Sequence, residues 1–100
     1  MPDRYRVIIS PAALIQLGRI LDYIAEDSPG NAVKVIDNLL EEINSLELFP
    51  GRFAEVQTEA ANDAGPVRRM PAPPFRILYE IVPSQRTVRI VAVQHGAQRS

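Results

Sequence analysis

Residues 75–95 read FRILYEIVPSQRTVRIVAVQH, which is two apolar runs on either side of a short polar break. In both runs the side chains alternate with a period of two, and most of the apolar residues are β-branched or aromatic, as is typical of β-strands. The break, Pro83-Ser84-Gln85-Arg86, has the length and composition of a turn. The stretch therefore predicts an antiparallel β-hairpin against which the rest of the chain has to pack.

The register of this hairpin sorts its side chains onto two faces of the sheet. If Val82 faces Thr87, the pairs on the first face are Ile81 with Val88, Tyr79 with Ile90 and Ile77 with Ala92. That face is apolar, so we expect helices to cover it. The second face pairs Glu80 with Arg89 as opposite charges. It also sets Arg76 opposite Val93 and diagonal to His95, which predicts a polar face that carries Arg76, Glu80, Arg89 and His95.

Two amphipathic helices are predicted before the hairpin. A strand-like run, Arg4–Ile9, leads into Ser10-Pro11, where a hydroxyl and a proline are typical of a helix start. Residues 27–31 (DSPGN) break this helix, and residues 49–51 (FPG) end a second one. Two helices with so short a break between them predict an antiparallel helical hairpin. The apolar positions spaced three and four apart are Ala13, Leu14, Leu17, Ile20, Leu21 and Ile24 in the first helix and Val33, Ile36, Leu39, Leu40, Ile43 and Leu46 in the second.

The remaining segment adds one more strand. Residues 52–65 show no clean period and are predicted to form a loop, whereas Val67–Met70 is predicted to be a strand that ends at the proline-rich bend 71–74. The order of elements is β-α-α-β-β-β. We therefore predict a single α+β domain over residues 1–100, in which a helical hairpin packs on one face of a mostly antiparallel sheet. Four aromatic residues are expected in its core, namely Tyr5, Phe49, Phe75 and Tyr79.

The composition excludes several classes of protein. With 100 residues, of which 46% are hydrophobic and 23% charged, the chain has the composition of a globular rather than a disordered protein. It contains no cysteine and one histidine, so we expect no disulfide, no metal and no cofactor. No apolar run approaches the about 20 residues of a membrane-spanning helix, and the first residues lack the pattern of a secretory signal. We therefore expect a cytoplasmic protein without membrane contact.

The formal net charge of −1 hides a polarity along the chain. Residues 1–50 carry eight acidic and four basic side chains, whereas residues 51–100 carry four acidic and seven basic ones. Ten of the eleven basic residues are arginine, which favours directed hydrogen bonds to carboxylates or phosphates. A chain with an acidic and a basic half is suited to two kinds of partner, although solvated surface charges would give the same count.

Five short motifs span nearly the whole chain. They are Tyr5–Ser10 with Pro11-Ala12-Ala13, Asp22-Tyr23-Ile24, Leu46–Arg52, Phe75–Ile81 and Val88–Gly96. In this order and spacing they resemble the RelE/ParE superfamily of toxins from type II toxin–antitoxin systems. The resemblance implies a small cytoplasmic toxin that a cognate antitoxin binds and silences, so that the two proteins form a hetero-oligomer.

The superfamily implies two alternative targets. RelE-like members cleave mRNA on the ribosome, whereas ParE-like members inhibit DNA gyrase and are associated with plasmid stabilisation. For a nuclease, the resemblance assigns catalysis to His95, Arg76 and Glu55: His95 or Glu55 would accept the 2′-hydroxyl proton, and Arg76 would stabilise the charged phosphorane. For a gyrase inhibitor, the expected target contacts are Arg76, Arg89, His95 and Arg99.

Three features favour the ParE-like alternative. The residue after His95 is Gly96, where some nucleases of the superfamily carry an aromatic side chain. No lysine follows Lys34, whereas ribosome-dependent members of the superfamily are typically rich in lysine. The net charge of −1 also gives only weak attraction to ribosomal RNA. The sequence therefore predicts a gyrase inhibitor that an antitoxin neutralises. A ribosome-dependent ribonuclease and an interaction module without toxicity are the alternatives.

Overall fold

Two helices lie against one sheet in the computed structural model, which describes residues 4–57 and 66–96. The helices are α1 (Pro11–Asp27) and α2 (Pro29–Asn44). The strands in the described ranges are β1 (Arg6–Ile9), β2 (Glu55–Val56), β3 (Val67–Ala72), β4 (Phe75–Val82) and β5 (Thr87–His95). Short 3-10 helices lie at Ser45–Glu47, Pro50–Arg52 and Pro83–Gln85. The predicted α+β class is confirmed, with α1 and α2 on one face of a mostly antiparallel sheet.

Across the sheet the strands are ordered β1-β5-β4-β3-β2. β1 runs parallel to β5, and the other neighbouring pairs are antiparallel. The prediction of a loop over residues 52–65 is wrong for β2, where Glu55 pairs with Arg68 and Val56 with Val67. Pairing with β3 is a tertiary contact, and two residues are too few to show a period in the sequence.

Local sequence explains where α1 begins and ends. Ser10 Oγ accepts a hydrogen bond from the Ala13 N–H at 3.1 Å, and Pro11 occupies the first helical position, where its missing N–H costs nothing. Ser28 alone separates the two helices, and its N–H donates to the Ile24 carbonyl at 2.9 Å. The buried residues of the helices are Ala13 and Leu17 in α1 and Ala32, Leu39 and Ile43 in α2.

The predicted core is wrong at three apolar positions. Leu14 is 60% exposed, Val33 is 56% exposed and Phe49 is 69% exposed. Leu14 lies about 100° around α1 from the buried Ala13, and Val33 lies at the same angle from the buried Ala32 on α2, so the predicted stripes were one position too wide. Phe49 adopts a left-handed backbone conformation, with φ at 51°, in the turn after α2, and its ring is left in solvent.

A β-bulge in β5 shifts the register of the β4–β5 hairpin. The pairing agrees with the prediction from Val82–Thr87 to Tyr79–Ile90, and the register then shifts between Tyr79 and Leu78. The pairs beyond the shift are Leu78 with Ala92, Ile77 with Val93, Arg76 with Gln94 and Phe75 with His95. The predicted pairs Ile77–Ala92 and Arg76–Val93 are therefore wrong.

The extra residue of the bulge is Val91. Val91 and its neighbour Ala92 both pack with Leu78 and Val67 on the face away from the helices. Every β5 side chain after the bulge consequently lies on the face opposite to the one that strict alternation predicts. Residues 91–93 are apolar at each position, so no polar residue in the sequence marks the shift.

Apolar side chains lie on both faces of the sheet. The main core, between the sheet and the helices, includes the buried residues Tyr79, Ile77 and Ile90. A smaller cluster on the opposite face contains Val67, Leu78, Ala92, Val56 and Val91. As predicted, Phe75 and Tyr79 belong to the main core and Tyr5 packs against it. Within residues 4–57 and 66–96, neither helix is long and apolar enough to cross a membrane.

Candidate functional site

The face of the sheet away from α1 and α2 carries two of the predicted site residues, Arg76 and Arg89. We call it the open sheet face. By strand pairing it presents Arg6 and Ile8 of β1, Arg89 of β5, Arg76, Leu78 and Glu80 of β4, and Arg69 of β3. Four arginines and one glutamate thus surround the small apolar cluster centred on Leu78, and this face is basic among the residues that the structure describes.

Glu80 is buried on the open sheet face. Its side chain is 1% exposed, and its Oε1 accepts a hydrogen bond from Arg89 Nη1 at 3.0 Å. The predicted pairing of Glu80 with Arg89 is thus confirmed. The second carboxylate oxygen, Oε2, is buried and accepts no hydrogen bond from any described residue. Because a buried carboxylate is costly without a counter-charge, the pair ties the Arg89 guanidinium to a defined place on this face.

The structure separates Arg76 from His95. Arg76 pairs with Gln94 and lies on the open sheet face, whereas His95 pairs with Phe75 on the helix side. The rings of His95 and Phe75 meet edge to face, with centroids 5.2 Å apart and planes at 86°. The expectation that Arg76 and His95 share a face is wrong because the bulge at Val91 inverts the rest of β5.

Glu55 lies apart from both of these residues. β3 and β4 stand between its strand, β2, and β5, and its Oε2 forms an ion pair with Arg68 Nη2 at 3.3 Å. The structure therefore does not bring His95, Arg76 and Glu55 together. Arg99 lies outside the described residues. Within those residues, no group of three or more Asp, Glu or His side chains is placed to hold a metal ion.

A hydrogen-bond network that the sequence analysis missed holds the turn after α2. Its donors are the guanidinium groups of Arg52 and Arg68 and the hydroxyl of Tyr79. The accepting carbonyls are those of Leu48 (2.7 Å) and Phe49 (3.2 Å) for Arg52, Phe53 (2.6 Å) and Gly51 (3.3 Å) for Arg68, and Pro50 for Tyr79. Burial raises the pKa of the Tyr79 hydroxyl above its ordinary value, and the charges of Arg68 and Arg52 offset part of this rise. The signal in the sequence was Arg52 directly after a Pro-Gly pair.

A comparison with protein-family models matches residues 7–100 to the ParE toxin of type II toxin–antitoxin systems, parDE. The chain belongs to the ParE toxin family. Its function is that of a toxin in a type II toxin–antitoxin system. A comparison with curated protein sequences gave no match.

Solved structures share the fold of this ParE-family chain. The chromosomal ParDE system of P. aeruginosa matches with a TM-score of 0.74 at 17% identity, covering 93% of this chain and 97% of that chain. A RelBE toxin–antitoxin complex from Mycobacterium tuberculosis matches with a TM-score of 0.65 at 23% identity, covering 95% and 94%. The archaeal RelE–RelB complex from Pyrococcus horikoshii matches with a TM-score of 0.65 at 16% identity, covering 96% and 99%. At these identities the likeness shows the shared fold.

Three predicted contact residues of this ParE-family toxin belong to the described part of the chain, and they lie on two sides of its sheet. Arg76 and Arg89 share the open sheet face, where Arg6 and Arg69 add further positive charge. His95 lies on the helix side, at the end of β5. The open sheet face thus presents several guanidinium groups together, whereas His95 faces the opposite side of the sheet.

Proposed function

We propose that this ParE-family toxin binds and inhibits DNA gyrase in the cytoplasm and that a cognate antitoxin neutralises it. The observation that carries the proposal is the placement of Arg76 and His95 on opposite faces of the sheet. A nuclease of the RelE-like type would need its proton-transfer and charge-stabilising groups around a single phosphate. Glu55, the third candidate, lies on the edge strand β2, where it pairs with Arg68 and is separated from Arg76 and His95 by β3.

The open sheet face supports an inhibitor that acts by binding. Arginine forks form paired hydrogen bonds with carboxylates or phosphates, and Arg76 and Arg89 are the proposed contacts of this kind. Ile8, which is 43% exposed, adds apolar surface beside Arg89. Such a mixture of arginine and apolar surface suits a protein target. His95 stays a predicted contact outside this face, and Arg99 stays a predicted contact that lies outside the described residues.

The proposed antitoxin follows from the family and its relatives. The three solved structures above come from toxin–antitoxin systems or complexes, and each shares the fold of this chain over nearly its whole length. A toxin that blocks an essential enzyme has to be held silent until it acts. We therefore expect the purified chain to form a tight complex with the protein that is encoded beside it.

Two assays on the purified toxin test the proposed target. We expect it to inhibit supercoiling of plasmid DNA by purified gyrase, with an effect that rises with toxin concentration. In a purified translation system we expect mRNA to stay intact at the same concentrations. Cleaved mRNA with unimpaired supercoiling would overturn the proposal and favour the ribonuclease.

A further inference from the structure

The two members of the ion pair between Glu80 and Arg89 differ in their exposure to solvent. The Glu80 side chain is 1% exposed, whereas the Arg89 side chain is 40% exposed. Glu80 Oε1 accepts a hydrogen bond from Arg89 Nη1 at 3.0 Å, and Glu80 Oε2 is buried without a hydrogen bond from any described residue. The pair therefore has one buried end and one end that solvent reaches on the open sheet face.

The hydrogen bond to Glu80 engages one nitrogen of the Arg89 guanidinium and leaves an edge of the group unoccupied. The Nε–Nη2 edge of a guanidinium carries two parallel N–H groups, whose spacing fits the two oxygens of a carboxylate. No residue in the described part of the chain accepts a hydrogen bond from Nε or Nη2 of Arg89. The edge that suits a carboxylate is therefore available to a ligand.

Packing alone would not require a carboxylate at position 80. The surroundings of Glu80 on the open sheet face are apolar, because Val67 lies opposite it on β3 and Leu78 precedes it on the same face of β4. Replacing a buried ion pair by apolar residues of similar volume is often neutral or stabilising. A leucine would fit this cluster, so the buried charge is explained by what it holds, which is the Arg89 guanidinium.

We propose that Glu80 is a positioning residue, which holds Arg89 so that its Nε–Nη2 edge binds an acidic side chain of the toxin's protein target; this rests on the proposed function. The surroundings favour a protein carboxylate over a nucleic-acid phosphate. Ile8, the partner of Arg89 on β1, is 43% exposed, and the apolar cluster around Leu78 lies on the same face. Arginine beside apolar surface is typical of protein interfaces, whereas interfaces with DNA are much more positively charged. Glu80 also offsets the charge of Arg89, which weakens attraction to a polyanion.

Positioning by Glu80 lowers the entropy cost of binding. A mobile arginine side chain loses rotamer freedom when it binds a partner, and this loss opposes association. The ion pair with Glu80 restricts Arg89 before the target arrives. Loss of Glu80 should therefore weaken binding even though the guanidinium and its charge remain on the open sheet face.

Inhibition of purified gyrase by purified toxin variants tests the role of Glu80. Glu80→Leu should raise the toxin concentration for half-inhibition of supercoiling about tenfold, since Arg89 is no longer held. Its unfolding temperature should stay the same or rise, because solvent can reach the remaining Arg89 charge. Glu80→Gln should inhibit within about threefold of the unchanged toxin, since its amide oxygen can still accept the hydrogen bond from Arg89 Nη1. A role of Glu80 in stability alone would reduce inhibition only together with the unfolding temperature.

Substitution of arginine by lysine tests the carboxylate-binding edge. Arg89→Lys keeps a positive charge beside Glu80 but loses the paired N–H groups, so it should raise the half-inhibitory concentration about tenfold. Arg19→Lys, at an exposed position of α1, is the matched control and should leave inhibition unchanged. A double variant, Glu80→Leu with Arg89→Lys, should inhibit no less than Arg89→Lys alone, because Glu80 acts through the guanidinium.

The outcomes separate this inference from the proposed function. An unchanged toxin that does not inhibit gyrase would overturn both. A toxin that inhibits gyrase, and is equally potent as Glu80→Leu and as Arg89→Lys, would leave the proposed function standing and overturn the inference. Full inhibition by Glu80→Leu with a loss in Arg89→Lys would overturn the positioning role of Glu80. A toxin that binds a linear DNA duplex without gyrase, and loses this binding in Arg89→Lys, would overturn the acidic side chain in favour of a phosphate.

Discussion

Glu80 and Arg89 form a partly buried ion pair on the open sheet face, and the stability of the fold depends on it. Arg89→Ala should lower the free energy of unfolding by about 2–3 kcal/mol, because it leaves the buried Glu80 carboxylate without its counter-charge. A double variant, Glu80→Leu with Arg89→Leu, should be more stable than Arg89→Ala, since it removes the buried charge together with its partner. Urea denaturation of the unchanged chain and the two variants measures their free energies of unfolding. A double variant that is the least stable of the three would contradict it.

Gly96 is required by a close approach of two backbone segments. Its N–H donates to the Pro74 carbonyl oxygen at 2.5 Å, and a Cβ at this position would lie 2.7 Å from the same oxygen. Gly96→Ala should therefore lower the free energy of unfolding by about 1–3 kcal/mol, because a backbone atom cannot rotate away from the clash.

Gly18→Ala is the control for this substitution. Gly18 lies in α1 with nothing within 4 Å of an added Cβ, so alanine there should raise the free energy of unfolding by about 0.5–1 kcal/mol. Thermal unfolding of both variants shows whether the two signs differ. If Gly96→Ala is as stable as the unchanged chain, the end of β5 can move away from Pro74 without cost.

At the scale of elements, the sequence predicts what local patterns decide. Helical spacing predicts both helices, and Ser10-Pro11 predicts the start of α1. Alternation of apolar residues predicts β4 and β5. The register was predicted correctly from Val82–Thr87 to Tyr79–Ile90, where Glu80 and Arg89 mark one face. Beyond that point three consecutive apolar residues fit either register. Packing around Leu78 then decides in favour of the bulge, and packing is not visible in a single strand.

For the candidate site, too, the sequence predicts the residues before the bulge correctly and those after it incorrectly. Arg76, Glu80 and Arg89 lie on the open sheet face as expected, because all three belong to β4 or to the part of β5 before the bulge. His95 lies after the bulge and was therefore placed on the wrong face. The side-chain network around the turn after α2 depends on Tyr79 and Arg68, which are distant in sequence from that turn. Such contacts leave no local pattern.

For the molecule as a whole, the sheet separates two surfaces of different chemistry. The open sheet face is rich in arginine, whereas a mainly apolar groove on the other side is lined by Tyr23, Val35, Phe75 and His95. We therefore expect substitutions on the open sheet face to weaken binding of the proposed target more than substitutions on the helix side do.

The toxicity of single variants tests this division. Arg76→Ala should reduce gyrase inhibition and growth arrest, since it removes a guanidinium from the proposed target face. His95→Ala should weaken toxicity only modestly, because an inhibitor that acts by binding needs no proton transfer. In a nuclease the same substitution would lower the rate of mRNA cleavage by about 10²–10⁴-fold. Lys34→Ala, at an exposed position of α2, is the control for a lost positive charge. Growth and RNA integrity should be scored together in cells that express each variant, and cleaved transcripts that disappear in His95→Ala would show that the toxin is a ribonuclease.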